Sequence, residues 1–320
     1  VMCLFENTSS LNITPSQIGG TKLGCLGLPE FGTDFAMQMV IDAQPTSFSH
    51  LIRIAGLAHG TDVWLGNAQT LIMEGTATID TAICTRDDIM IYLIQKGMDK
   101  SLSFKTMESV RKGKGLKPEM KEAMIAAGVP DWYIQSCLKI KYMFPKAHAA
   151  AYVMMAWRIA YFKVYVPQAF YAAWFSIRAK AFSYKDMCQG ENHLHSVMQE
   201  YNSRKDELSN TEESEYGDMR VVEEMYERGI EFTPIDIFTA KSRLFQVVGD
   251  KIMPSLKSID GMGEKAADAV EAAKNGPFLS RDDFRERTKC PQGVIDTLNE
   301  LGLLGEIPES NQISLFDFGM

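Results

Sequence analysis

The chain has 320 residues and a formal net charge of −8, with 46% hydrophobic and 23% charged residues. That is the balance of a globular protein, about 45–50% apolar and about 25% charged, and it excludes a disordered or collagen-like chain. The length allows roughly two domains with a sizeable core, and the acidic net charge excludes a wholly basic nucleic-acid protein.

Residues 1–50 read as loops and short helices, punctuated by Pro15, Gly19, Gly20, Gly24 and Gly27. Thr14-Pro15-Ser16-Gln17 has the pattern of a helix start: a Thr cap, Pro at the first helical position and Gln at the third. Asp34 to Asp42 predicts a short helix with Phe35, Met39 and Val40 on one face. From 51 to 180 the chain reads as helix-rich. The predicted segments are Leu51 to Ala58, Asp87 to Gln95, Phe104 to Val110 and Met120 to Ala127, then a long helix from about Lys146 to Val166 and another at Phe170 to Ala179. The longest apolar stretch, Ala147 to Val166, contains His148, Arg158 and Lys163. It therefore predicts a buried helix, since a membrane span needs about 20 nearly uncharged residues.

Residues 190–245 read as a charged helical connector, with Asn210 to Gly217 as the expected bend or hinge. Residues 251–305 read as a small helical unit, and Pro308 to Met320 as a tail without helical period. The expectation is a mainly α fold. A first domain covers 1–185, a second covers 186–307 with a hairpin of helices at 256–274, and a flexible tail covers 308–320.

Charge is uneven along the chain. Lys96 to Lys163 holds thirteen Lys/Arg against five Asp/Glu, whereas Glu200 to Glu231 holds four against eleven. A basic block beside an acidic one points to a local polyanion surface. Six cysteines lie far apart and form no Cys-x-x-Cys pair, which reads as free thiols in a reducing compartment rather than a zinc framework. Val1 to Leu4 carry no basic region, so no signal peptide is read. Because the chain opens on Val1, its true start is expected upstream.

The sharpest local signal is IDGMGEKAADAV at 259–270. Two glycines permit a tight turn, and the turn and helix N-terminus that follow offer backbone N–H groups to a phosphate. Met262 can plug the core, and Ala266 and Ala267 let helices pack closely. No third glycine stands at position 266, so the dinucleotide fingerprint fails. The pattern resembles the helix-hairpin-helix of sequence-independent DNA binders; the competing reading is an ordinary turn between two helices.

The segment 139–152 is the richest in functional groups. Lys139, Lys141, Lys146, His148, Tyr142 and Tyr152 converge where a loop feeds a helix. Cations at a helix N-terminus make a polyphosphate site; a solvated basic face before a core helix is the other reading. Near Arg53, His59 and Asp62 share a turn, in which Asp62 either holds the His59 ring or caps the next helix. Gln312-Ile313-Ser314-Leu315-Phe316 in the tail could dock in an apolar pocket. It resembles the bacterial sliding-clamp-binding pentapeptide, with Ile313 in place of the commoner Leu. Cys188, His193 and His195 are close in sequence but lack a fourth ligand, so no metal site is read there. Gly113 and Gly115 do not form a Walker loop.

Four stretches, LAHGTDVWLGNA at 57–68, RDDIM at 86–90, MESVRKGKGL at 107–116 and YMFPKAHAAAYV at 142–153, resemble the fingers of PolC-type replicative DNA polymerases, the DNA polymerase III alpha subunit of low-GC Gram-positive bacteria. The helix-hairpin-helix and the tail pentapeptide follow in that family's order. The likeness covers essentially the whole chain and is loosest at 190–250. Ala58 stands where Ser is expected.

The resemblance implies template-directed DNA synthesis by two-metal phosphoryl transfer. The catalytic aspartates and their Mg2+ would sit in a palm upstream of this chain, which has no Asp-x-Asp strand motif. Asp87-Asp88 diverge on a helix and are expected to cap or pair with Arg86. It further implies a deoxynucleoside triphosphate held by Lys139, Lys141, Tyr142, Lys146 and His148, with Arg53 and His59 beside them. Primer-template DNA would meet Gly261, Gly263, Lys265, Arg111, Lys112 and Lys114, and the sliding clamp (beta subunit) would meet Gln312 to Phe316. Other replisome subunits would be partners, in a cytoplasmic, nucleoid-associated setting without a membrane. The alternative is a non-catalytic DNA-and-clamp-binding adaptor, which leaves the 142–153 segment and the His59 turn unexplained.

Overall fold

The computed structural model describes residues 1–274, 276–305 and 307–310. It is mainly α-helical and divides into two compact units. The first comprises Val1–Pro15 with Thr21–Val164, and the second Ser16–Gly20 with the chain from Tyr165 onward.

The first unit holds α1 (Asp34–Ala43), α2 (Phe48–His59), α3 (Gln69–Met73), α4 (Arg86–Gln95), α5 (Lys100–Arg111), α6 (Pro118–Ala126), α7 (Asp131–Lys139) and α8 (Lys146–Tyr165). Local chemistry sets most of these starts. The Thr33 hydroxyl accepts the Ala36 N–H, Ser47 accepts from His50, Asp99 accepts from Leu102, and Pro118 opens α6. The helix start expected at Thr14 gives only one 3-10 turn, Pro15–Ile18. Gly19 and Gly20 follow it at φ +57° and +81° and end the helical path.

Ahead of α1 the chain runs in short turns that need outside partners for their carbonyls. Lys163 of α8 provides two of them. It is fully buried, and its ammonium donates to the carbonyls of Gly24 at 2.8 Å and Leu26 at 2.6 Å. A Cβ at Gly24 would sit 2.5 Å from a Leu4 methyl, so that buried side chain would have to shift. α4 packs on α5, and Tyr92 stacks on Tyr133 of α7 at 4.3 Å.

The second unit holds α9 (Pro167–Ile177), α10 (Tyr184–Met187), α11 (Glu191–Ser203), α12 (Asn210–Glu227), a hairpin of β1 (Gln246–Val248) and β2 (Lys251–Met253), then α13 (Glu264–Ala272), α14 (Arg281–Thr288) and α15 (Gln292–Glu300). The antiparallel hairpin pairs Val247 with Ile252. Phe175, Phe182, Phe232 and Phe245 interlock beside it, with centroids 5.0–6.3 Å apart. Ile259, Met262, Ala267, Val270, Phe284, Ile295 and Leu298 form the core of the last three helices.

The expected hinge at Asn210–Gly217 is instead the first half of one continuous helix. Ser209 and Glu212 form a reciprocal capping box that starts α12, and Gly217 lies inside the helix. Three of the acids behind the connector reading turn inward. Glu224 accepts the Tyr171 hydroxyl at 2.7 Å, Asp218 accepts the N–H groups of Lys180 and Ala181 at 2.8 Å each, and Glu223 is buried. Burial pushes the Asp218 carboxyl up to about 6, against the pull of its two backbone donors.

Two outcomes follow for α12. Gly217 has open space where a Cβ would stand, so Gly217→Ala raises stability by about 0.5–1 kcal/mol in urea unfolding; a loss would restore the hinge reading. Asp218 binds its proton more tightly folded than unfolded, so its contribution to stability falls as pH rises from 3.8 to about 6. Asp218→Asn, which keeps an acceptor oxygen, removes about 2 kcal/mol of that fall in stability-versus-pH curves.

Candidate functional site

The loop from Lys141 to Pro145, between α7 and α8, has its backbone bound by three separate segments. The Lys141 N–H donates to the Thr61 carbonyl at 3.1 Å, and the Thr61 N–H returns to Tyr142 at 2.9 Å. The Met143 N–H donates to the Arg111 carbonyl at 3.2 Å, and the Arg86 N–H to the Phe144 carbonyl at 3.1 Å. The Lys146 N–H, first in α8, donates to the Asp87 carboxylate at 2.7 Å. This stitching brings the end of α2, the start of α4, the end of α5 and the opening of α8 to one place. Two glycines allow it. A Cβ on Gly113, at φ +68°, would lie 2.5 Å from the Lys141 carbonyl oxygen, and one on Gly60 would lie 3.0 Å from that of Tyr142.

Around the loop the side chains sort by chemistry. Arg53 approaches the Asp88 carboxylate at 3.6 Å, and the Lys146 ammonium stands 4.0 Å from its other oxygen. Arg53 also lies 3.9 Å from the Cys84 sulfur, whose thiol complete burial pushes up to about 12, so it stays neutral. Lys139 donates to the Gly66 carbonyl at 2.8 Å, while Lys141 and Tyr142 are exposed. His59 stacks on Phe144 at 4.8 Å, His148 stacks on Tyr152 at 4.4 Å, and Phe144 meets the His148 ring edge-on at 4.5 Å.

Asp62 does not hold the His59 ring. The His59 Nε2 meets the Glu30 carboxylate instead, and Asp62 sits at φ +56° with its carbonyl accepting from Asn67. Sequence reasoning missed Glu30 and Phe144. Glu30 is far away in sequence at φ +68°, a conformation that nothing in its neighbours announces.

The second candidate surface is built on the turn before α13. Gly261 takes φ +81°, Gly263 caps the helix, and neither has any atom within 4 Å of where a Cβ would stand. Met262 is 4% exposed and fills the core as its position between the glycines implies. A second turn joins α14 to α15 through Lys289 at φ +55° and Pro291. The two turns border a concavity of about 620 Å³ lined by Gly261, Gly263, Lys265, Arg287, Lys289 and Pro291 among others. Lys289 and Arg287 were not picked out from the sequence. Arg287 braces the connection between α13 and α14 by donating to the Gly276 and Pro277 carbonyls at 3.2 and 2.9 Å while lying over the Phe278 ring.

Comparison with known proteins decides what these surfaces are related to. Residues 1–130 match the bacterial DNA polymerase III alpha subunit finger domain, and residues 229–313 match the helix-hairpin-helix motif. The PolC-type DNA polymerase III of Caldanaerobacter subterraneus subsp. tengcongensis is 50% identical over 98% of this chain. Those of Streptococcus thermophilus and Streptococcus pyogenes serotype M5 are 48% and 47% identical over 99% of it. Over nearly its whole length the chain is homologous to a segment of PolC-type DNA polymerase III. It spans 22% of the length of these curated relatives.

A two-metal centre needs carboxylates free to bind ions. Asp88 accepts the N–H groups of Cys84 at 3.1 Å and Thr85 at 2.8 Å as the capping residue of α4, besides facing Arg53 and Lys146. Asp87 accepts from the start of α8. Both are engaged in holding helices, so they do not fit the metal-binding pair of a PolC-type enzyme. Asp88 caps as expected, and its cationic neighbours are Arg53 and Lys146.

The basic stretch after α5 is not uniform. Arg111 and Lys112 both reach Glu108, each within 2.9 Å. Hydrogen bonds from Arg111 and then Lys112 hold the Glu108 carboxyl down at about 2. Lys114 is exposed and makes no ion pair among the described residues. The expected clamp pentapeptide, Gln312 to Phe316, lies outside the described residues. No helix among the described residues is long and apolar enough to cross a membrane.

The packing of the loop gives a direct check. Gly113→Ala places a methyl against the Lys141 carbonyl and costs about 2–4 kcal/mol in denaturant unfolding. Gly115→Ala has the same left-handed backbone at φ +69° but open space, so it costs only about 1 kcal/mol.

Proposed function

We propose that this chain works in template-directed DNA synthesis, as the nucleotide-gripping and duplex-holding part of a PolC-type polymerase. The observation that carries the reading is the stitched loop at the N-terminus of α8. It gathers Arg53, Lys141, Lys146 and His148 around one helix opening. A triphosphate there would meet lysine ammonium groups, and its charge would be complemented by the partial positive charge of the helix end. Lys139 is tied to a backbone carbonyl but exposed, and it supplies a further cation within reach. Tyr142, with the His59–Phe144 and His148–Tyr152 stacks, provides flat surfaces for a base or sugar.

On the same reading the α13 turn holds duplex phosphates through the backbone of Gly261 and Gly263 and the Lys265 ammonium, with Lys289 on the facing turn. Arg111, Lys112 and Lys114 add backbone contacts, Lys114 most freely. The Mg2+ of nucleotidyl transfer belongs to carboxylates elsewhere in the longer polymerase, and Gln312 to Phe316 serve its sliding clamp. A stand-alone adaptor would need the α13 turn and the pentapeptide, yet has no use for a cationic helix opening packed beside aromatic rings.

The test is a pair of substitutions in the full-length polymerase. Lys146→Ala raises the KM for the incoming triphosphate about 10–100-fold and leaves duplex affinity unchanged. Lys265→Ala leaves that KM unchanged, weakens duplex binding, and lowers the slope of log affinity against log salt by about one. Equal loss of both functions in either variant refutes the division of labour. Full activity in Lys146→Ala removes the pocket.

A further inference from the structure

We propose that Glu30 is a positioning residue that orients the His59 ring in the nucleotide pocket; the inference rests on the reading of the α8 opening as a triphosphate site. Glu30 is the central residue of a very tight turn. The Phe31 N–H donates to the Pro29 carbonyl at 2.8 Å, and Glu30 between them takes φ +68°. A hydrogen bond that spans one residue of positive φ is a γ-turn of the rare, strained kind. Glycine adopts positive φ without that cost, whereas a long side chain crowds its own backbone. The turn cannot relax, because its flanks are fixed. Leu28 and Phe31 are buried, and Phe31 meets Phe5 edge-on at 5.1 Å. A Cβ on Gly32 would lie 2.7 Å from the Leu28 carbonyl oxygen.

Strain that the surroundings impose, where glycine would serve the backbone better, points to a use for the side chain. The Glu30 carboxylate meets the His59 Nε2 and makes no other hydrogen bond or ion pair among the described residues. Stability does not account for the pair. Its side chains are 15% and 37% exposed, and a solvent-screened ion pair contributes little.

Positioning does account for it. His59 ends α2, and its ring stacks on Phe144 at 4.8 Å and lies 6.5 Å from the Tyr152 ring, which in turn stacks on His148. Stacking fixes the plane of an imidazole but does not distinguish its two flipped orientations. The contact at Nε2 selects one of them. An ionised carboxylate only accepts, so the shared hydrogen sits on Nε2. Nδ1 makes no hydrogen bond among the described residues. It is thereby given one place beside the cationic helix opening, ready for a polar group of the bound nucleotide. A ring held before the ligand arrives loses little conformational freedom on binding.

The experiment measures KM and kcat for the incoming triphosphate on primed DNA, with urea midpoints, in the full-length polymerase carrying Glu30→Gly, Glu30→Gln, His59→Ala, or Glu30→Gly and His59→Ala together. Glu30→Gly raises KM about tenfold with kcat within about twofold of wild type. Its urea midpoint is no lower than wild type, since the turn is relieved. Glu30→Gln, whose amide oxygen still accepts from Nε2, returns KM most of the way. In the His59→Ala background Glu30→Gly adds no further rise, because the acid acts through the ring. If Glu30→Gly fails to fold by circular dichroism, Glu30→Asn gives the same readout, being tolerant of positive φ and too short to reach Nε2. An unchanged KM in the folded variant overturns the role. So does a rise that persists in full on top of His59→Ala, or one that comes with a lowered urea midpoint. Lys146→Ala separates this inference from the pocket itself. A KM raised by Lys146→Ala but not by Glu30→Gly removes only the Glu30 role, and a KM that Lys146→Ala leaves unchanged removes both.

Discussion

The segment between Lys141 and Pro145 has no hydrogen-bonding periodicity of its own, and the nucleotide reading depends on how its backbone is satisfied. Each peptide there carries a donor and an acceptor that need partners. The partners come from Thr61, Arg86 and Arg111, which lie in three different parts of the chain. A loop held this way cannot drift without breaking bonds to each of those segments. The helix that it feeds therefore opens at a fixed point, with Lys146 and His148 in its first turn. The glycines at 60 and 113 are the sequence cost of that arrangement, since any side chain at either would occupy the space where the loop passes.

Asp88 has the corresponding role among the charges. It caps α4, and its carboxylate faces Arg53 of α2 and Lys146 of α8. With Asp87 bound to the first N–H of α8, two carboxylates offset Arg53 and Lys146, and the positive charge left near the helix opening comes from the exposed Lys139 and Lys141. The pairing also limits mobility, because both cations are held near a common anchor before a ligand arrives. An anchored pair loses less conformational entropy on binding than two free side chains would. Glu108 acts similarly on Arg111 and Lys112, so in both basic clusters one acid organises two cations.

Much of this was legible in the sequence, and the reasons are local. The α8 boundary follows from Pro167, the α13 turn from its two glycines, and the buried role of Met262 from its place between them. The helix-rich reading of 51–180 holds because apolar spacing and capping residues agree there. The site residues at 139–148 were visible as a concentration of charge. Their grouping with Arg53 and His59 was suggested by family likeness, and spacing alone left the solvated-face reading open. Glu30 escaped because its contact with His59 depends on a left-handed residue in a loop. Lys289 escaped because its turn lacks the paired glycines that mark the first.

The misread acidic stretch shows where composition stops being informative. Eleven acids against four bases in 200–231 suggest a solvated connector, and a glycine at 217 suggests a bend. Yet Ser209 and Glu212 nucleate a helix at the first opportunity, and one glycine costs only about 1 kcal/mol within it. Three of the acids then find uses that only tertiary structure supplies: Asp218 accepts two backbone donors, Glu224 takes a tyrosine hydroxyl, and Glu223 faces a histidine. A buried acid is tolerated when something nearby prefers its charge or its proton. The sequence lists the acids, but the element that satisfies each of them is α9, α11 or the loop at Lys180. The sign and count of charges therefore predicted exposure, while the fold uses three of those acids to hold its second unit together.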